Sequence, residues 1–446
     1  MKAPSRHPQS RYLLLHPPST RPVHRDCFCC SEVRGPYRWH PLDLLVQSGF
    51  LSRQGEVSLV DAVAEGLTAE EALARCVQTR PRVVLTLVGS ATADEDAPFL
   101  DRLKAATGAV IVASGDLARF EPAETFHRFP AVDALLADFA SPELAAMDPE
   151  DPRPSRDLML RGDADLSARP RARGATVAFP VPRHDLFQSP RYRLPFPHLD
   201  RFASVLTSYG CNYRCRFCNV NALGFRVRPV EDVLDEVRRL RPLGFRSMYL
   251  RDPTLNALPD HLSALCEALA AEPDPLPFNA FVRAEGFDGP SARSLRRAGC
   301  RVVQMGIEAA DPDTRSRESK PLSDRQIEVA VQAAHSEGME IAAHFLAGAP
   351  GQDRQDVLDA VDLAIRLDID YVAFSPAVAR PGSRWQGPEA RNLMPLEQAT
   401  RLAREASRRF YLRPGYAVQR LARLRGPGEL ARLAESGGRV AGTMLL

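Results

Sequence analysis

Three cysteines, Cys211, Cys215 and Cys218, stand together in Ser208-Tyr-Gly-Cys-Asn-Tyr-Arg-Cys-Arg-Phe-Cys218, a C-x-x-x-C-x-x-C run just after an apolar stretch at 202–206. Iron–sulfur clusters are ordinarily held by four protein thiolates. Three thiolates in one loop, with no fourth cysteine nearby, would hold three irons of a cubane and leave the fourth iron open. An open metal position signals chemistry rather than structural stapling. The alternative is structural zinc, which takes four ligands, usually as two separated pairs. His198 is the nearest candidate for a fourth, and it lies ahead of the strand in a Pro-rich stretch.

The elements around this loop must place it on a rim. From residue 202 onward, candidate strands at 202–206, 247–250, 278–282, 302–306, 340–345 and 371–375 alternate with helical patterns at 230–240, 259–271, 291–298, 323–337 and 354–366. Six consecutive βα units predict a barrel or partial barrel, whose site lies at the C-terminal ends of its strands. The cysteine loop follows the first of these strands and so falls on that rim.

Upstream, strands are expected at 11–15, 56–60, 82–88, 109–113 and 132–137, with helices at 41–51, 68–78 and 98–106. Thr68 followed by Glu71 reads as a capping box opening the second helix. This alternation indicates a parallel sheet covered on both faces, hence a Rossmann-like domain. The fold class is therefore α/β. Residues 1–147 read as the Rossmann-like domain and 148–200 as a Pro- and Arg-rich linker. Residues 201–394 form the partial (β/α)6 barrel, and 395–446 a helical C-terminal segment.

Composition sets further bounds. With 446 residues the chain can build two or three domains with substantial cores. A net charge of +2 gives no electrostatic footprint for nucleic acid. Only Lys2, Lys104 and Lys320 are lysines among the 58 basic residues. No run of about twenty apolar residues exists, so no transmembrane segment is expected. No signal peptide is visible, and nine cysteines without export point to a reducing, cytoplasmic setting. Cys27, Cys29 and Cys30 form a second group in the loop after the first strand. They read either as a redox or metal group or as a loop with no ligand, since C-x-C-C lacks a fourth partner. Cys76, Cys266 and Cys300 read as small core residues.

The cysteine spacing, with Phe217 before the last cysteine, resembles the radical S-adenosylmethionine (SAM) superfamily. The whole of 11–424 resembles its subgroup with an N-terminal cobalamin-binding-like domain. The strings that carry this are Leu13-Leu-Leu-His-Pro-Pro18, Trp39-His-Pro-Leu-Asp-Leu-Leu45, Leu194-Pro-Phe-Pro197, Tyr249-Leu-Arg-Asp252, Gly299 through Glu308, Gly348-Ala-Pro-Gly351 and Ala379-Arg-Pro-Gly382, in the expected order. The resemblance implies a four-iron–four-sulfur cluster on Cys211, Cys215 and Cys218, with SAM on the open iron. It implies reductive cleavage to a 5′-deoxyadenosyl radical that abstracts hydrogen from a small-molecule or lipid-like substrate. Flavodoxin or ferredoxin would supply the electron. Phe217 would pack near the adenine, Glu308 would reach the ribose, and Gly348 and Gly351 would admit the nucleoside. Asp252 and Arg283 are further candidates on the same rim. Cobalamin-dependent C-methylation is the alternative, and a non-catalytic iron–sulfur protein a second. Three departures bear on cobalamin: no Asp-x-His-x-x-Gly occurs, the turn after the fourth strand reads Ser114-Gly-Asp-Leu-Ala118, and the one after the fifth reads Asp138-Phe-Ala-Ser-Pro142.

Overall fold

In the computed structural model, residues 10–33, 37–163, 165–166 and 174–422 are described. The expected C-terminal segment beyond residue 422, and 167–173 of the Pro/Arg-rich stretch, lie outside them. The chain divides into two compact units. One comprises Met1–Ala172, Thr176–Arg193 and Asp235–Gly244; the other comprises Arg173–Ala175, Leu194–Leu234 and Phe245–Leu446.

The first unit is Rossmann-like. Strands β1 (Arg11–His16), β2 (Glu56–Asp61), β3 (Val83–Leu87), β4 (Val110–Ser114) and β5 (Ala134–Leu136) run parallel in the order β2-β1-β3-β4-β5. A sixth strand, β6 (Leu158–Leu160), pairs antiparallel with β5 at the edge. The apolar runs follow from burial on both faces: all five residues of β3 are buried. Thr68 and Glu71 form the expected capping box. The helix Ala93–Thr107 starts well before the expected position, because Pro98 reads as a first-turn residue but lies inside. Strand β6 hides in the Pro-rich stretch because three residues carry no periodicity.

After β1 the chain makes a short hairpin, Val23–Arg25 against Cys30–Glu32. Asp26 Oδ1 closes its turn by accepting from the amides of Phe28 (3.0 Å) and Cys29 (2.7 Å). Arg25 anchors it: the buried guanidinium donates to Pro17 O, Pro18 O, Thr92 Oγ1 and Asp96 Oδ1. Cys27 and Cys30 are buried here, and burial pushes both thiols up. Burial thus favours the protonated thiol at both positions. His184 Nε2 and Glu236 Oε1, 2.8 Å apart and 1% exposed each, also belong to this unit.

The second unit is a partial barrel. Strands β7 (Phe202–Val205), β8 (Ser247–Leu250), β9 (Phe278–Val282), β10 (Cys300–Glu308), β11 (Glu340–Ala347) and β12 (Tyr371–Pro376) are all parallel and lie in sequence order. An open parallel edge leaves backbone groups unpaired. On β12 the Tyr411 hydroxyl answers this by donating to Val372 O at 2.8 Å and accepting from Val372 N at 2.9 Å. Tyr411 ends the helix Leu396–Tyr411, the C-terminal helical segment expected from sequence.

One buried carboxyl gives a pH test of the first unit. Asp43, wholly buried, accepts from Cys27 N (3.1 Å) and Ser114 Oγ (2.6 Å). Burial, reinforced by the Asp26 charge, raises its carboxyl from 3.8 to about 7. Between these values the folded chain keeps a proton that the unfolded chain releases, so stability falls as pH rises from about 4 to 7 and is level above. Asp43→Asn is expected to flatten that slope. Urea midpoints at pH 5 and pH 8 check it: the variant should gain on the parent at the higher pH.

Candidate active site

The cysteine loop has little regular structure, so its neck is held from outside. Ser208 and Tyr209 pair antiparallel with Val227 and Arg226, and the Arg226 guanidinium lies 4.2 Å from the Tyr209 ring centre. Gly210 has φ +75°, and a Cβ there would sit 1.5 Å from Gly224 O, so only glycine closes this neck. Asp252, at the end of β8, accepts from Thr207 N, Thr207 Oγ1 (2.8 Å) and Ser208 Oγ (2.5 Å). Its oxygens orient the start of the loop, a role the sequence does not suggest.

The far side of the loop is strapped to two other rim loops. Arg216 N donates to Glu318 O at 3.1 Å, and Arg384 N to Arg216 O at 2.9 Å. Asn219 Nδ2 donates to Pro381 O at 3.0 Å. Trp385, 1% exposed, donates Nε1 to Glu318 Oε2 at 2.8 Å and faces Phe217 at 5.8 Å between ring centres. Phe217 thereby joins an apolar cluster with Ala349, Ala377 and Trp385.

Cys211 and Cys215 are buried and Cys218 partly so. Burial pushes the Cys218 thiol up to about 12. It pushes Cys215 up too, opposed by the charges of Lys320 and Arg283. Arg283, at the end of β9, donates Nη1 to Cys215 Sγ at 3.5 Å. Its other nitrogens pair with both oxygens of Glu285, and its guanidinium lies 3.9 Å from the Tyr213 ring centre. Thr254 Oγ1 lies 3.8 Å from Cys211 Sγ. Among the described residues, no three His, Cys, Asp or Glu side chains are grouped to hold a single metal ion. In a cubane each thiolate binds its own iron, so three cysteines need not converge on one point.

Glu308 ends β10 after a bulge, with φ +71°. Its Oε1 accepts from Lys320 Nζ at 2.7 Å, the side chains being 11% and 7% exposed. Gly306 makes the pair fit: a Cβ there would lie 2.3 Å from Glu308 Oε1 and 2.6 Å from Lys320 Nζ. The sequence reading missed both Lys320 and Gly306. One signal was present, a lysine in a chain that otherwise uses arginine. Gly348 and Gly351 have φ +86° and +82°. The Cβ direction of Gly348 is filled by Met394 and Ala399, so this glycine makes room for the chain itself. Cys215, Arg283, Lys320 and Glu308 thus gather at one end of the barrel strands, with Phe217 on the apolar side of the loop.

Residues 205–364, the span from the cysteine strand through the fifth βα unit, match the Radical SAM superfamily. That span is a radical SAM domain. A four-iron–four-sulfur cluster and SAM are the cofactors this domain implies. An uncharacterized methyltransferase of Pyrococcus horikoshii is 26% identical over 450 residues, covering 92% of this chain and 94% of that protein. Among solved structures, the radical SAM methyltransferase TsrM from Kitasatospora setae, with cobalamin and a [4Fe-4S] cluster bound, has TM-score 0.66 at 21% identity, covering 84% of this chain and 74% of that one. The cobalamin-dependent radical SAM enzyme OxsB, with aqua-cobalamin and SAM bound, has TM-score 0.62 at 15% identity over 88% and 55%. The two folds follow the same plan, a Rossmann-like unit followed by a radical SAM barrel.

Removing one partner of a mostly buried ion pair strands the other charge. Lys320→Met in this radical SAM barrel is expected to lower unfolding stability by about 3 kcal/mol. Adding Glu308→Gln should recover part of the loss, read as coupling in a double-mutant cycle from urea unfolding.

Proposed function

We propose that Cys211, Cys215 and Cys218 each bind one iron, that SAM takes the fourth, and that the substrate is a small molecule. The observation that carries this is the preformed loop: three cysteines on one closed neck, with the Arg283 guanidinium 3.5 Å from Cys215 Sγ. When bound, such a cluster would supply the electron for reductive SAM cleavage, the chemistry that makes hydrogen abstraction from an unactivated carbon possible. The chain's own residues supply the setting. Arg283 and Lys320 place positive charge beside the thiolates and favour their ionised, metal-binding form. Phe217 and Trp385 give the loop an apolar wall that keeps water off. Glu308, held by Lys320, presents its second carboxylate oxygen to ribose hydroxyls. Flavodoxin or ferredoxin is the electron donor. Nine cysteines free of disulfides suit a reducing cytoplasm, and among the described residues no helix is long and apolar enough to cross a membrane.

Reconstituted protein with SAM and dithionite is expected to form 5′-deoxyadenosine. Cys215→Ala should lose both cluster iron and SAM cleavage; a variant that kept both would sink the ligand assignment.

Methyl transfer is the second reading, favoured by the full-length relationship to a protein named as a methyltransferase. Cobalamin, bound by both structural neighbours, would then supply the methyl group. In the first unit the strand order reverses direction between β1 and β3, and ligands of such sheets bind at the carboxyl ends there. The loops after β3 and β4, around Ser90 and Ser114, would hold it. Histidines at that end are engaged: His16 Nδ1 with Asp61 Oδ1 at 2.9 Å, its Nε2 enclosed, and His24 flat against Trp39 at 3.5 Å. These residues fit a corrin only without a histidine on cobalt. Anaerobic protein given hydroxocobalamin is expected to retain corrin absorption through desalting. A clean loss removes cobalamin and leaves hydrogen abstraction.

A further inference from the structure

The face of the barrel sheet that bears Arg283 carries a polar chain with no part in holding iron. Asn279 and Phe281 lie on β9 at alternate positions with Arg283, and so share its face. Gln304 stands beside them on β10, and His344 on β11 is in register with Gly306. Gln304 Nε2 donates to Asn279 Oδ1 at 2.6 Å, and Gln304 Oε1 lies 3.2 Å from His344 Nε2. With Gln304 turned this way, its oxygen can only accept. His344 therefore carries its proton on Nε2 and keeps a lone pair on Nδ1.

Two observations mark this chain as one partner short. Asn279 is completely buried, and its Nδ2 has no hydrogen-bond partner. Buried polar groups are rarely left so. His344 is only partly buried, and among the described residues its one hydrogen bond is to Gln304. Its ring also meets Phe281, 4.9 Å between centres, so a flat apolar surface adjoins the open nitrogen. Burial, then the charge of Lys320, pushes the imidazole down to about 4, which keeps it neutral at working pH. A neutral acceptor beside an aromatic face suits a small ring-bearing molecule with an N–H or O–H group. An alkyl chain would leave the nitrogen unanswered.

We propose that His344 Nδ1 accepts a hydrogen bond from an N–H or O–H group of the substrate, and that Gln304 is the positioning residue fixing the ring's tautomer. This rests on the radical SAM reading of the same barrel. It narrows the substrate class to small polar rings and away from lipid-like chains.

The test uses iron-reconstituted, SAM-bound protein and five probes: indole, phenol, N-methylindole, anisole and decanoate, with binding measured by equilibrium dialysis. Indole or phenol should bind about tenfold more tightly than its methylated counterpart, the effect of one well-made hydrogen bond. His344→Phe should abolish that ratio. Gln304→Leu should shrink it. Iron per chain checks that each variant is folded, and Gln304→Leu decides if His344→Phe is not. Equal binding of donor and methylated probes, absence of donor binding, or a ratio that survives in His344→Phe overturns the proposal. SAM cleavage by the wild type is scored separately: its failure with the donor ratio intact fells the parent reading and leaves the His344 site standing.

Discussion

The site depends on the closure of one loop neck. Fifteen or so residues of irregular backbone around the cysteines cannot fix three thiols unless both ends are held, since loop backbone is costly to order. Asp252 does this at one end with bonds to Thr207 and Ser208. The two-residue ladder to Arg226 and Val227 does it at the other, with Gly210 passing too close to Gly224 for any side chain. The straps through Glu318 and Arg384 then orient the middle. A carboxylate on the second barrel strand thus governs where a metal loop after the first strand can point.

Charge is arranged around that loop in a graded way. Arg283 touches a thiol directly, while Lys320 acts on it from across the Glu308 pair. Both cations are largely shielded from solvent, where their influence is screened least. Absence of a side chain at Gly306 is what lets the pair lie across β10. Burial chiefly, and the charge of Lys320 after it, disfavour a proton on His344, so the same lysine bears on both Cys215 and His344.

Much of this was legible from sequence, for physical reasons that differ by element. The cysteine loop shows itself because three thiols at short spacing have few other uses, and the βα alternation because buried parallel strands are continuous apolar runs. The hairpin after β1 and strand β6 escaped because three-residue strands carry no pattern. Asp252 was legible as a rim residue, but its partners sit more than forty positions away and could not be read. His344 sits in Ala-Ala-His-Phe-Leu-Ala, where one histidine in an apolar strand looks like a packed core residue. Lys320 belongs to a loop, and nothing in its neighbourhood announces Glu308 as its partner. Spacing along the chain reveals ligands of one loop; groups converging from different strand ends require the fold.

The first unit is not contiguous in the chain. It takes in Asp235–Gly244, made after the cysteine loop, and buries Glu236 against His184. A ribosome must therefore synthesise the metal loop before the upstream unit can be finished. No cut in the Pro-rich stretch yields that unit whole. A fragment ending near residue 200 would lack Asp235–Gly244, and with it the Glu236 carboxylate that meets His184.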